Sequence, residues 1–120
     1  MNVRGIRGAT TADLNTVESI LNATSDLLKE IINRNNISVD EIACAIFTTT
    51  ADLNAEFPAV AAREMGWTDV ALMCGHEMLV PGAQDRCIRV MLLINTDKSA
   101  SDIKNVYLKD ATGLRDRPSN

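Results

Sequence analysis

Hydrophobic positions along this chain change their period several times, and each change predicts an element. Val17, Ile20, Leu21, Thr24, Leu27, Leu28, Ile31 and Ile32 recur at three and four residues, the spacing of one helix face. Asn15 with Glu18 three residues on resembles a capping box at its start, and Asn35-Asn36 supplies a stop. Upstream, Val3, Ile6, Ala9 and two threonines, with Gly5 and Gly8 among them, read as a strand over residues 2–11. Ser38 with Glu41 opens a short helical turn, and the apolar run Ile42–Thr50 then reads as a strand buried on both faces.

Pro58 opens a short helix to Met65, with Gly66 as its C-terminal stop. Val70–Cys74 is a short strand and Pro81-Gly82 a turn. In Arg86–Asn95, Ile88, Val90, Leu92 and Ile94 share one face, while Cys87, Arg89, Met91 and Leu93 share the other. Ser99 with Asp102 caps a further short helix, and Val106–Ala111 returns as a strand. The order β-α-β-α-β-β-α-β predicts an α+β or α/β architecture with helices on one face of a sheet. Residues 1–112 hold no repeat, linker or low-complexity tract and read as a single domain. The polar residues 113–120, with Gly113 and Pro118, read as a mobile C-terminal tail.

Composition narrows the function classes. The 120 residues carry 12 basic and 16 acidic side chains, a net charge of -4, which argues against nucleic acid or an anionic membrane surface as partner. No apolar run approaches the ~20 residues of a membrane span, and residues 1–5 lack the apolar core of a secretory signal. Cys44, Cys74 and Cys87 are odd in number and form no Cys-x-x-Cys pair. With His76 the single histidine, a closed zinc site is not expected. Reduced thiols and a cytoplasmic address follow. Aromatic residues make up 3% of the chain, so its core is aliphatic and small, and an oligomer is plausible.

Arg89 lies midway along an apolar strand, where an unpaired guanidinium would cost several kcal/mol. It is either an internal ion-pair partner or an anion receptor facing a pocket. Arg7, flanked by Gly5 and Gly8, repeats that choice in the first strand, on the face opposite Arg4. Two inward arginines would suit a ligand with two carboxylates. In Cys74-Gly75-His76-Glu77-Met78, the Cys-His spacing is weak geometry for activating a nucleophile. Glu77 is either a solvated turn carboxylate or a group aimed into a site. No phosphate loop, Ser-His-Asp triad or catalytic carboxylate pair is present. An enzyme built on this chain would work without covalent or metal chemistry.

Taken in order, Val3-Arg4-Gly5-Ile6-Arg7-Gly8-Ala9-Thr10-Thr11, Phe57-Pro58-Ala59, Ala62-Arg63-Glu64, Gly66-Trp67, Cys74 with Glu77-Met78, Cys87-Ile88-Arg89-Val90-Met91 and Val106-Tyr107-Leu108 resemble the monofunctional AroH-type chorismate mutases. The resemblance runs from residue 3 to about 115. It implies an α+β fold, a mixed β-sheet with helices packed on one face, assembled as a homotrimeric pseudo-α/β-barrel with active sites between subunits. The implied reaction is the Claisen rearrangement of chorismate to prephenate in phenylalanine and tyrosine biosynthesis, with no cofactor and no metal.

By the same resemblance Arg89 donates to the ether oxygen and a carboxylate, Arg7 and Tyr107 hold carboxylates, and Glu77 accepts from the ring hydroxyl, supplemented by Cys74. Phe57, Ala59, Arg63, Leu72 and Met73 form the wall, and Leu114 and Arg115 belong to the tail near the mouth. Val60 stands where some members carry lysine, Met73 where threonine is common, and one residue is missing before Gly66-Trp67. The alternatives are a Rid-type imine hydrolase and a non-catalytic carboxylate-binding trimer of the same architecture. The joint presence of Arg7, Arg89, Glu77 and Tyr107 fits chorismate better.

Overall fold

A computed structural model describes residues 1–116 of the chain, with side chains as far as Leu114. Five strands form one mixed sheet: β1 (Asn2–Thr11), β2 (Ile42–Thr49), β3 (Ala71–His76), β4 (Cys87–Thr96) and β5 (Val106–Tyr107). Their spatial order is β3-β2-β4-β1-β5. β4 lies at the centre, antiparallel to both β1 and β2, while the edge strands β3 and β5 run parallel to β2 and β1. Two α-helices, α1 (Val17–Asn35) and α2 (Ala59–Glu64), are the sheet's helical partners.

Alternation along the strands decides what each face carries. Ile6, Ala45, Phe47, Val90, Leu92 and Ile94 point to one side and bury against Leu27, Leu28 and Ile31 of α1 and Ala59 and Ala62 of α2. Gly8 makes that contact close, since a Cβ there would come within 2.6 Å of Ile31 Cδ1. The opposite side holds Arg7, Ile46, Thr48, Arg89 and Met91 and carries no α-helix among the described residues. β2 is therefore buried on one face only, not on both as its uninterrupted apolar sequence suggests: Ile46 remains 41% exposed.

Local chemistry sets the boundaries. Thr16, not Asn15, caps α1 by accepting from Ser19 N–H. The Asn15 side chain accepts instead from the backbone of Asn54 and Ala55, tying the loop after β2 to the start of the helix. Asn36 closes α1 in the left-handed conformation, at the stop expected there. Gly66, at a φ of 91°, ends α2 with the paired bonds Gly66 N–H to Arg63 O and Trp67 N–H to Ala62 O. The turns opened by Ser38 and Ser99 are single 3-10 turns, Val39–Glu41 and Ala100–Asp102.

The last expected strand, Val106–Ala111, keeps only its first two residues. Lys109 turns the backbone to a φ of 52°, and Lys109–Asp116 continues as a 3-10 segment. That segment folds back over the end of the open face, where Ala111 and Leu114 pack with Ala9 and Cys87. The stretch read as tail thus begins inside this 3-10 segment, and 117–120 lie outside the described residues. Among the described residues no helix is long and apolar enough to cross a membrane.

Candidate functional site

The open face gathers its polar groups at one end. Arg7 from β1, Thr48 from β2, Arg89 from β4, Tyr107 from β5 and Glu77, one residue past β3, line a depression of about 190 Å³. Register explains the convergence, because Ala9 is paired with both Arg89 and Tyr107, and Thr48 with both Arg89 and Gly75. Glu77 is hooked to β2 by its own N–H, which donates to Thr49 O at 2.8 Å. Five segments far apart in sequence meet here.

Arg89 sits 3.6 Å through Nε from Glu77 Oε2. That distance exceeds the usual ~2.7–2.9 Å of a charge-assisted hydrogen bond. Arg89 thus faces a carboxylate and also lines a depression. The Thr48 hydroxyl donates to the same Oε2. Among the polar lining residues, Thr48 is the one that sequence reasoning passed over. Its signal lies in parity, for it points to the same face as Ile46, but the sequence does not reveal that β2 and β4 are neighbours.

A second depression, about 300 Å³, includes Thr49, Leu53, Phe57, Pro58, Cys74 and His76 in its lining. Cys74 is paired with Phe47, so it belongs to the helix-covered side, opposite Glu77 and Arg89. Phe57 is 65% exposed beside it. The residues singled out in the sequence thus fall into two groups within one chain, and Cys74 does not join Glu77. Met73 projects from the open face beside Ile46. Ala59 and Leu72 pack into the main core, while Arg63 is exposed on α2. Leu114 is buried with the group that Tyr107 packs against, and the Arg115 side chain lies outside the described residues.

His76 Nδ1 stands 3.1 Å from Thr49 Oγ1 and 3.3 Å from Thr49 O, away from the arginines. Burial pushes the Cys87 thiol up to about 11, despite the opposing field of Arg89, so it stays protonated and inert at neutral pH. A supporting network joins the loop after β2 to the start of β4. Asp52 Oδ2 accepts from Arg86 N–H at 2.9 Å, and Arg86 holds a φ of 44° just before β4. Burial works to raise the Asp52 carboxyl. Hydrogen bonds from Thr50 and Arg86, with the Arg86 charge, outweigh it and hold the group below its ordinary range.

Comparison with known proteins adds an independent line. The family model described as chorismate mutase type I matches residues 3–117. The chorismate mutase AroH of Thermus thermophilus is 46% identical over 114 residues, 94% of this chain and 93% of its own length. The chorismate mutase AroH of Bacillus subtilis (strain 168) is 43% identical over 116 residues, covering 96% and 91%. A solved chorismate mutase from Clostridium thermocellum superposes with a TM-score of 0.88 at 54% identity, over 89% of this chain and 96% of that one.

Proposed function

This chain belongs to the type I chorismate mutase family, and from that membership we propose how its open face converts chorismate to prephenate. The observation that carries the reading is the convergence of Arg7, Arg89, Glu77 and Tyr107 on one depression. Chorismate is a dianion, and two guanidinium groups on adjacent strands of one sheet face can fork onto its carboxylates. The reaction is a Claisen rearrangement in which the ether C–O bond breaks ahead of C–C bond formation. Negative charge gathers on the ether oxygen, and positive charge on the ring.

Arg89 is assigned to that oxygen. A fixed donor aimed where charge develops lowers the barrier, and one such donor is typically worth ~3–4 kcal/mol. Arg7 and Tyr107 hold carboxylates and keep the enolpyruvyl arm folded over the ring, so binding contributes orientation. Glu77 accepts from the ring hydroxyl and lies near the developing positive charge. No proton moves in the rearrangement itself, so the chemistry asks for neither a general acid nor a general base.

The separation of the two groups supports a site completed by a second copy. The Phe57–Cys74 surface of one chain closes over the arginine depression of its neighbour, in a homotrimer. Met73, Ile46 and Met91 on the open face, with Val3 also exposed, are the apolar surface such an assembly would cover. A cytoplasmic address is part of the same reading, supported by three cysteines that form no disulfide.

Purified protein should convert chorismate to prephenate with kcat flat from about pH 6 to 9, because no essential acid and base set a bell. His76→Asn and Cys74→Ser should both keep substantial turnover. A dead His76→Asn or Cys74→Ser enzyme that remains folded would favour nucleophilic chemistry instead. No turnover of chorismate by the intact protein would return the imine hydrolase and the silent carboxylate binder to consideration.

A further inference from the structure

Two threonines end β2 and a third, Thr50, follows it, and only the first, Thr48, faces the arginines. Thr49 Oγ1 donates to Leu53 O, and Thr50 Oγ1 donates to Asp52 Oδ1 and accepts from Cys87 N–H, so both hydroxyls serve the loop that follows. The Thr48 hydroxyl goes to Glu77 Oε2. Its backbone is fixed on both sides, opposite Arg89 in β4 and Gly75 in β3. Glu77 is anchored twice on this strand, by its N–H to Thr49 O and by its carboxylate to Thr48.

The oxygen that Thr48 holds is the one nearest Arg89, at 3.6 Å. Left to itself, a carboxylate this close would close on the guanidinium in a bidentate pair. It would then occupy the donors that an anionic ligand needs. We propose that Thr48 is a positioning residue that keeps Glu77 off Arg89. The guanidinium fork then stays open to the ligand. Glu77 Oε1, which receives no hydrogen bond from the described residues, stays available to a ligand hydroxyl. This rests on reading the depression as the chorismate site.

Thr48→Val keeps the side-chain shape and removes the donor. It should raise the KM for chorismate and the Kd for prephenate about tenfold, the scale of one hydrogen bond to a charged group. The fall in kcat should be smaller, with the melting temperature unchanged. Thr48→Ser restores the donor and should restore binding. In a Glu77→Gln background, where no carboxylate competes for Arg89, Thr48→Val should have no further effect on prephenate affinity by calorimetry.

Wild-type affinity in Thr48→Val, or an equal loss in both backgrounds, would overturn the inference. Should the valine variant fail to fold, Thr48→Ala is read by the same two criteria. Wild-type protein that neither turns over chorismate nor binds prephenate would instead bring down the site reading itself.

Discussion

The two faces of the sheet are made by the same strands and obey different rules. On the helix-covered face, Ile6, Phe47, Leu92 and Ile94 are fully buried by elements of the same chain. On the open face, residues one position away, Arg7, Ile46, Thr48 and Met91, stay half-buried or exposed. One face completes itself. The other combines a charged cluster with uncovered apolar side chains, a pairing that makes sense when a second surface finishes both. Stability is therefore expected to reside on the covered face and chemistry on the open one, and substitutions at neighbouring strand positions should separate them.

The largest effect belongs to Arg89. Arg89→Ala should lower kcat by about 10²–10³ or more, as loss of one preorganised donor to a developing oxyanion does. Arg89→Lys keeps the charge but loses the planar fork, and should recover only part of that loss. Both variants should melt near the wild type, since the group is not a core contact. Steady-state kinetics with a thermal melt checks this, and an Arg89→Lys enzyme with full kcat would show the strand arginine to be structural.

Next comes the adjacent pair Phe47 and Ile46. Phe47→Ala leaves a cavity beneath the helices and should cost about 3–5 kcal/mol of stability. Ile46→Asp, on the open face, should leave the isolated chain folded by circular dichroism. It should dissociate the assembly in light scattering and abolish turnover with it. Equal unfolding by the two substitutions would erase the distinction between the faces.

The smallest effect concerns the network joining the loop after β2 to the start of β4. The Asp52 carboxyl is held below its ordinary range, so its ionised form is favoured by folding. That contribution is complete above its unfolded-state titration near pH 4 and is lost as the pH falls through the lower folded value. Asp52→Asn should therefore narrow its stability gap to wild type on the acid side, and denaturant unfolding at several pH values reads this directly. A gap constant down to about pH 2 would contradict the assignment.

How much of this was legible beforehand follows the same division. The α1 stripe announced itself because Leu27, Leu28 and Ile31 meet partners supplied by this chain, and Asn36 and Gly66 mark ends through backbone conformations that few residues tolerate. Arg7 and Arg89 stood out because guanidinium groups are rare in apolar runs. Thr48 did not, since a threonine at a strand end is unremarkable until the strand order puts it beneath Glu77. The Asn15 side chain illustrates the same limit: its partner is the loop near Asn54, 39 residues away, and no local motif encodes that bond. The apolar sequence of β2 likewise suggested two buried faces, while the chain alone buries one.

The shared site is tested most directly by mixing two disabled chains. Arg89→Ala removes the donor from the open face, and Phe57→Glu sets a repelling charge on the opposite surface of the same chain. Each variant assembled alone should be nearly inactive. Refolded together in equal amounts, a closed ring in which each site draws on two neighbours regains about one quarter of its sites, because one copy in four pairs an intact donor with an intact wall. Recovery near that fraction, at unchanged KM, is the predicted result. Activity no greater than the sum of the two inactive parents, in mixed assemblies verified by mass, would contradict a site built from two copies.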